Sequence, residues 1–175
     1  MTDLLLKDKV IIVTGGSGLI GKNLIRAIIE NGGIGIIADI NEKASKDEIN
    51  KIKSEFKDGK ADYFKLDIVS EKSVTNMIKF VKKKYGKIDG VVNSAYPRNK
   101  HFGKGFEDTA YEDFCENINL QLGGYFLVSQ QCGIFFRKQG YGNIINLSSI
   151  YGVIAPRFEI YGNAEFHGIK MGVPV

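Results

Sequence analysis

The segment Val10–Gly21 constrains the fold of this chain more than any other stretch of its sequence. It reads VIIVTGGSGLIG, a β-branched run followed by a glycine-rich turn, and apolar residues at helical spacing come next. Gly15 permits a sharp turn after the strand, Gly18 lets backbone approach a pyrophosphate, and Gly21 lets the helix lie close to the sheet. The free N–H groups of the helix N-terminus favour an anion. The segment therefore predicts a phosphate-binding strand–turn–helix unit.

The next predicted strand indicates which phosphate compound this unit binds. Ile34–Asp39 ends in a carboxylate 18 residues after Gly21, close to where a dinucleotide-binding unit has the acid that binds ribose hydroxyls. The sequence therefore predicts a dinucleotide site. It favours NAD over NADP, because no Arg or Lys stands at the positions that would neutralise a 2′-phosphate, namely Gly16, Ser17 and Ile40.

Strands and helices alternate along the rest of the chain. This alternation predicts right-handed crossovers and an α/β fold with a parallel sheet. The resemblance of the glycine-rich unit to a dinucleotide-binding unit implies a Rossmann-type doubly wound sheet of order 3-2-1-4-5. Residues 1–149 are expected to form the NAD(P)-binding domain, with 150–175 as a substrate-loop region that fits neither period. The predicted strands are Lys9–Thr14, Ile34–Asp39, Ala61–Leu66, Ile88–Val92 and Asn143–Leu147, and the predicted helices are Gly18–Asn31, Glu42–Lys57, a segment around Val74–Val81 and a long helix over Thr109–Lys138.

The charge and residue content of the chain limit the classes of partner and ligand that we expect. The net charge of +4 on 175 residues comes from scattered lysines, and the one tight basic run, Lys82–Lys84, ends a predicted helix, so nucleic acid is not an expected partner. There is no signal-like segment and no apolar run of about 20 residues, which predicts a cytoplasmic protein without a membrane span. His101 and His167 have no ligand-spaced neighbours, and no metal is expected. Cys115 and Cys132 are interpreted as reduced packing residues.

Several motifs in chain order resemble those of the short-chain dehydrogenase/reductase family, and the likeness covers nearly the whole chain. Asn93-Ser94-Ala95-Tyr96 resembles the family's NNAG motif after the fourth strand, with two members replaced. Within the family, the likeness extends to the flagellin-modification type of oxidoreductase from bacterial surface-sugar biosynthesis. The resemblance implies a cofactor site at Thr14, Gly15, Gly16, Ser17, Gly18, Leu19, Ile20, Gly21, Asp39, Ile40, Asp67, Ile68, Asn93 and Ala95, with Asp67-Ile68 at the adenine.

The same resemblance supplies two catalytic candidates. Asn119 matches the family's active-site asparagine, and NIINLSS at residues 143–149 matches the strand that ends in the catalytic serine, here Ser149. As the family implies, the serine binds the substrate oxygen, the asparagine holds a water in the proton path, and the complete enzyme is a homo-oligomer acting on a small, sugar-like molecule.

The sequence departs from the family at the proton donor. The family carries a Tyr with a Lys four residues later, whereas Tyr161 is followed by Glu165 and Tyr151 by Ala155. We therefore expect that the chain is truncated before the Tyr/Lys helix and is inactive as it stands.

Three functions remain open at this stage. The first is an NAD(H)-dependent oxidoreductase acting on a carbonyl or alcohol. The second is a nucleotide-sugar epimerase or dehydratase, which the TGxxGxxG spacing of Thr14–Gly21 permits. The third is an NAD-binding or interaction module without turnover.

Overall fold

The computed structural model describes residues 4–154, 165–166 and 169–170, in two compact units. The first unit comprises Met1–Tyr96 and Gly124–Leu147 and holds a five-stranded sheet of order β3-β2-β1-β4-β5 in which every neighbouring pair is parallel. This confirms the predicted fold class and strand order. The strands are β1 (Val10–Thr14), β2 (Ile34–Asp39), β3 (Lys60–Lys65), β4 (Gly90–Asn93) and β5 (Asn143–Asn146).

Helices cover both faces of this sheet. Consecutive strand residues point to opposite faces, so Val13 and Ile37 pack in one cluster while Ile12 and Ile36 pack in another. A sheet covered on both sides needs apolar residues at nearly every position, and this is why its central strands read as continuous apolar runs. One cluster includes residues of α1 (Leu19–Glu30) and α2 (Glu42–Glu55), and the other includes residues of α3 (Glu71–Tyr85) and α5 (Gly124–Gln139).

Helix α3 shows how directly local sequence determines these elements. Ser70 caps it by accepting a hydrogen bond from the Ser73 N–H, and Gly86, at φ 76°, ends it in the left-handed region. Its apolar stripe is buried as predicted, at Val74, Met77, Ile78 and Val81. Three lysines occupy its last turn, where cations favour the helix dipole.

The second unit comprises Pro97–Gly123 and Ser148–Val175. Helix α4 (Tyr111–Ile118) is followed by a π-helical segment at Asn119–Gly123. The prediction of one long helix over Thr109–Lys138 is therefore wrong, because a π turn separates α4 from α5. The unit also contains 3₁₀ turns at Phe106–Asp108 and Ile150–Gly152, and an antiparallel pair that was not predicted, β6 (Glu165–Phe166) with β7 (Ile169–Lys170). The sequence-based division at residue 149 stays a prediction.

The glycine-rich turn after β1 is tightly packed at one of its glycines. A Cβ built on Gly21 would lie 2.1 Å from the Gly15 carbonyl oxygen and 2.7 Å from the Gly16 Cα. On Gly18, which is exposed, the nearest atom would be the Gly15 oxygen at 3.2 Å. Gly21 is therefore a steric requirement of the contact between α1 and the turn, whereas a Cβ at Gly18 would need the Gly15 oxygen to move by only a few tenths of an ångström. The predicted approach of Gly21 to the sheet stays a prediction.

We expect Gly21→Ala to lower the free energy of unfolding by about 1–3 kcal/mol, as overpacking does, although Gly→Ala within a helix ordinarily stabilises. Gly18→Ala is the matched control, because φ −74° and ψ 177° suit any residue, and it should change stability far less. Urea denaturation of both variants measures the difference. Equal stabilities would show that the turn relaxes around the added methyl group.

Candidate functional site

The glycine-rich turn lies at the carboxyl end of β1 and is fastened to the end of β2. The carboxylate of Asp39 accepts hydrogen bonds from the backbone N–H (3.1 Å) and the hydroxyl (2.7 Å) of Ser17, and from the Asn41 N–H (2.9 Å). Gly18, Leu19, Ile20 and Ile40 are exposed around this acid. The structure thus brings the turn and the predicted ribose-binding acid together on an accessible edge of the sheet.

A second set of bonds joins the end of β1 to the segment that follows β4. The hydroxyl oxygen of buried Thr14 accepts from the backbone N–H groups of Ser94 (3.1 Å) and Ala95 (3.3 Å), and the Ser94 hydroxyl donates to the Thr14 carbonyl at 2.6 Å. Gly15 lies against this segment at φ 65°, and a Cβ there would be 2.7 Å from the Ala95 Cα. The backbone of Gly15 therefore lies in direct contact with the backbone of Ala95, and a side chain at position 15 would not fit.

Asn93 is fully buried at the end of β4, and its side-chain amide forms hydrogen bonds with other side chains of the protein. Its Nδ2 donates to Asn146 Oδ1 at 2.8 Å and to the Ser129 hydroxyl at 3.1 Å, and its Oδ1 lies 3.5 Å from the Thr14 hydroxyl. Asn93 therefore links β1, β4, β5 and α5. The resemblance assigns Asn93 to the cofactor, and the structure gives its side chain a supporting position beneath that edge.

Asp67 and Ile68 follow β3. The Asp67 carboxylate accepts from the Val69 N–H at 3.1 Å, and its own N–H donates to the Ser73 hydroxyl at 3.0 Å. The Ile68 side chain is buried in the core, where a Cβ built on Gly124 would lie 2.5 Å from it. A cofactor contact at Ile68 would have to come from its backbone.

The two catalytic candidates belong to the second unit. Asn119 is exposed and begins the π segment, a rare turn that often occurs at functional sites. A Cβ built on Gly123 would lie 3.0 Å from Asn119 Oδ1, so the glycine leaves room for this amide. Ser149 is also exposed, and its hydroxyl oxygen caps the following 3₁₀ turn by accepting from the Tyr151 N–H at 3.2 Å.

Sequence reasoning missed a polar cluster in the same unit. His101, interpreted as a loop histidine, donates from Nδ1 to the carboxylate of Asp113 at 2.8 Å, since a carboxylate can only accept. This bond to His101, with a smaller contribution from the Asn99 amide, holds the pKa of Asp113 below its ordinary value despite desolvation. The spacing of twelve residues between His101 and Asp113 has no helical or strand period that would have revealed the pair. Tyr161 and His167 lie outside the described residues, and so does Arg157, a sequence-based candidate for pairing with a substrate phosphate or carboxylate.

Two further properties concern the described part of the chain. Within residues 4–154, 165–166 and 169–170, no group of three or more His, Cys, Asp or Glu side chains is arranged to hold a metal ion. Over the same residues, no helix has both the length and the apolar character that crossing a bilayer requires.

Comparison with known proteins gives the relationship of the chain. Residues 9–171 match the short chain dehydrogenase family. The chain is 46% identical, over 97% of its length, to the post-translational flagellin modification protein A of Campylobacter coli, and covers 68% of that protein. It is 32% identical to the 7alpha-hydroxysteroid dehydrogenase of Bacteroides fragilis over 85% of its length, and covers 57% of that protein.

Solved structures agree with this relationship. An NAD+-bound xylitol dehydrogenase superposes with a TM-score of 0.76 at 27% identity, with 87% of this chain and 57% of the xylitol dehydrogenase covered. The chain therefore spans somewhat more than half of the length of this enzyme and of the steroid dehydrogenase. The matched segment, the strand order and the glycine-rich turn agree, and the chain belongs to the short-chain dehydrogenase/reductase family of oxidoreductases.

Proposed function

We propose that this chain binds NAD(H) in an oxidoreductase that transfers a hydride to or from a carbonyl or alcohol carbon of a sugar or nucleotide sugar. The observation that carries the proposal is the hydrogen-bonded pairing of Asp39 with the glycine-rich turn. A carboxylate at the end of β2 beside an exposed turn and helix N-terminus suits a ribose and a pyrophosphate. The xylitol dehydrogenase is NAD+-bound in its crystal structure, and the Campylobacter relative modifies flagellin by name, which supports the cofactor and the surface-sugar context.

The residues of this chain fit the cofactor. The exposed turn has no Cβ at Gly18, so backbone can approach a phosphate there. Asp39 Oδ1 accepts from the Asn41 N–H, and a carboxylate oxygen has a second lone pair with which it can accept from a ribose hydroxyl. Bound NAD supplies the hydride-accepting carbon. Gly15, Gly18 and Gly21 would place backbone along the pyrophosphate, and Asp67 would approach the adenine.

Chemistry at the substrate requires a proton as well as a hydride. Ser149 would bind and orient the substrate oxygen, and Asn119 would hold a water in the proton path. A Tyr hydroxyl, with an ordinary pKa of about 10, needs a nearby cation to act as an acid–base group at neutral pH. Residues 150–175 contain no Tyr with a Lys four residues later. We infer that the 175-residue chain lacks the group that would move the proton.

The other two functions stay alternatives. The Thr14–Gly21 spacing supports the nucleotide-sugar epimerase or dehydratase, which would return its NAD to the starting redox state and consume no net NADH. For the module without turnover, the discriminating observation is the sequence that follows Val175: a Tyr-x-x-x-Lys there favours an enzyme, and its absence there favours the module. We place the site of action in the cytoplasm, where NAD(H) and nucleotide sugars are available.

We expect the chain to bind NAD at least tenfold more tightly than NADP. A second negative charge 4 Å from Asp39 costs about 1 kcal/mol in water and about 4 kcal/mol near a protein surface. Asp39→Ala should weaken NAD binding by about 1.5–3 kcal/mol, the worth of hydrogen bonds to a charged group, and should narrow the gap to NADP. Calorimetric titration of both cofactors measures these affinities.

Asp47→Ala is the control for this prediction, because it removes an exposed carboxylate from the helix that follows β2. It should leave both affinities unchanged. Equal or tighter binding of NADP to the unmodified chain would contradict the assignment, and an unchanged NAD affinity in Asp39→Ala would show that this acid does not contact the ribose.

We expect the 175-residue chain to bind NAD without turning over substrate. General acid–base catalysis contributes about 10²–10⁴-fold, and the positioning provided by the Lys is lost in addition. NADH oxidation with a panel of keto- and aldo-sugars measures turnover. Ser149→Ala should have no effect in this chain but should abolish turnover in a longer form in which a Tyr-x-x-x-Lys helix follows Ser149. Robust turnover that Tyr161→Phe abolishes would show that Tyr161 serves as the proton donor.

We also propose that the whole protein is a homo-oligomer and that the 175-residue chain exposes apolar surface. We expect the set Phe114, Tyr125, Phe126, Phe135 and Phe136 to include exposed apolar surface, and within it Phe114 and Phe126 are 43% and 64% exposed. Phe136 is buried, with its ring in the space that a Cβ on Gly142 would fill, and Tyr125 and Phe135 pack against the core. Ile145 on β5, at the edge of the sheet, is also exposed.

Exposed apolar side chains and an open strand edge promote association. We therefore expect the chain to self-associate or to bind a hydrophobic dye, and Phe126→Lys to reduce either signal. Light scattering and dye fluorescence measure the two. A monodisperse monomer that binds no dye would contradict this expectation.

A further inference from the structure

Three hydrogen bonds, which we call the ladder, connect the loop after β4 to α4 and to the π turn that follows it. Alternate residues of the loop meet every fourth residue of the helical segment, in antiparallel order. The Gln121 Nε2 donates to the Pro97 carbonyl oxygen (3.3 Å), the Asn99 N–H donates to Asn117 Oδ1 (3.1 Å), and His101 Nδ1 donates to Asp113 Oδ1 (2.8 Å).

The loop turns between Asn99 and His101. Asn99 Oδ1 accepts from the His101 N–H at 3.0 Å, and the Asn99 carbonyl accepts from the Phe102 N–H at 3.4 Å. The turn places the His101 ring at Asp113, about one helical turn before the Asn117 side chain that Asn99 contacts. The three helical residues, Asp113, Asn117 and Gln121, share one side of the segment.

Asp113 is the anchor of this ladder. It is 9% exposed, and besides the His101 ring it accepts from Asn99 Nδ2 at 2.8 Å. The Asn117 amide donates to the Asp113 backbone carbonyl at 2.8 Å, which joins the Asn99–Asn117 contact to the His101–Asp113 contact. Asn99 Nδ2 also donates to Glu116 at 2.9 Å. A buried carboxylate with several donors is costly to leave unpaired, so the loop and the helix hold each other in place.

The ladder brackets Asn119. The Asn117 rung lies just before the π segment, and the Gln121 rung lies within it. A π turn is rare and interrupts the regular α-helical hydrogen-bond pattern, so contacts on both sides of it can fix where it begins. Since Asn119 begins this turn, the direction of its amide depends on where the turn begins.

We propose that His101 and Asp113 are positioning residues for Asn119. Through the ladder they fix the π turn and thereby the place at which the Asn119 amide meets its ligand. The role given to Asn119 rests on the proposed function, whereas the effect of the ladder on the π turn does not. The pair touches neither cofactor nor substrate in this assignment and acts through the helix.

Amide hydrogen exchange of the 175-residue chain, measured by NMR, tests this proposal. We expect Asp113→Asn and His101→Phe to speed exchange at Asn119–Gly123 at least tenfold while leaving the β1 amides at their original rates. His101→Asn should restore protection, because its amide nitrogen stands where Nδ1 stands in histidine and donates as Nδ1 does. Glu112→Gln is the matched control, since it removes an exposed carboxylate from the same first turn of α4 and should change nothing.

Each remaining outcome counts against the proposal. Equal exchange rates at Asn119–Gly123 in Asp113→Asn and Glu112→Gln would contradict the proposal, because the loss of a carboxylate that bonds to the loop would then have no more effect than the loss of one that does not. Faster exchange at β1 to the same degree as at Asn119–Gly123 would show general destabilisation. Should Asp113→Asn fail to fold, the pair His101→Phe and His101→Asn decides, and equal exchange in these two would overturn the proposal. NAD titration of the unmodified chain separates the two hypotheses, because absent binding would refute the proposed function and leave the exchange result intact.

Discussion

The reversal of strand order between β1 and β4 is the constraint on which the sheet edge with the glycine-rich turn depends. At that point the crossovers leave in opposite directions, so the carboxyl ends of the two strands have no helix crossing over them. Their backbone groups must therefore be satisfied locally. The buried Thr14 hydroxyl does this by accepting from two successive N–H groups, those of Ser94 and Ala95. The Asn93 side-chain amide joins β4 to the side chains of Asn146 on β5 and Ser129 on α5. Because both residues are buried and bonded, the glycine-rich turn has a fixed base from which its exposed residues face solvent.

Much of this fold could be predicted from the sequence because its determinants are local. The β-branched runs, the turn glycines and the apolar stripe of α3 each depend on residues a few positions apart, and all of them agree on a doubly wound sheet. Asp39 was found for the same reason, since its distance from Gly21 is set by one helix and one strand. The contact between Asp39 and Ser17 follows from the parallel alignment of β1 with β2, which the strand order already requires.

The features that sequence reasoning missed depend on contacts between residues whose spacing in the sequence follows neither helical nor strand periodicity. The apolar pattern continues across Asn119, so nothing in the spacing indicated that the helix changes to a π turn there. Phe114 and Phe136 are equally apolar, yet one is exposed and the other buried, because burial depends on what faces each side chain. Phe136 is buried where Gly142 leaves space, a pairing that only the folded chain shows. The partners of His101 are likewise set by how a loop and a helix align.

The glycine-rich turn and the Asn119 side chain differ in how precisely their atoms must be positioned for the roles proposed for them. In the proposed function, a pyrophosphate is held largely by backbone N–H groups and a helix dipole, so the glycine-rich turn would need only the right backbone path. In the same proposal Asn119 holds a water in a proton path, which needs side-chain atoms held within a fraction of an ångström, and Asn119 is an exposed side chain on an uncommon turn. Such a residue needs support from neighbours that have no contact with the reaction. On either side of Asn119, Asn117 and Gln121 bond to the loop after β4, and the buried carboxylate of Asp113 joins the same loop to α4 through His101 and Asn99. These are contacts that can hold the turn while they leave the exposed Asn119 amide free to meet a ligand.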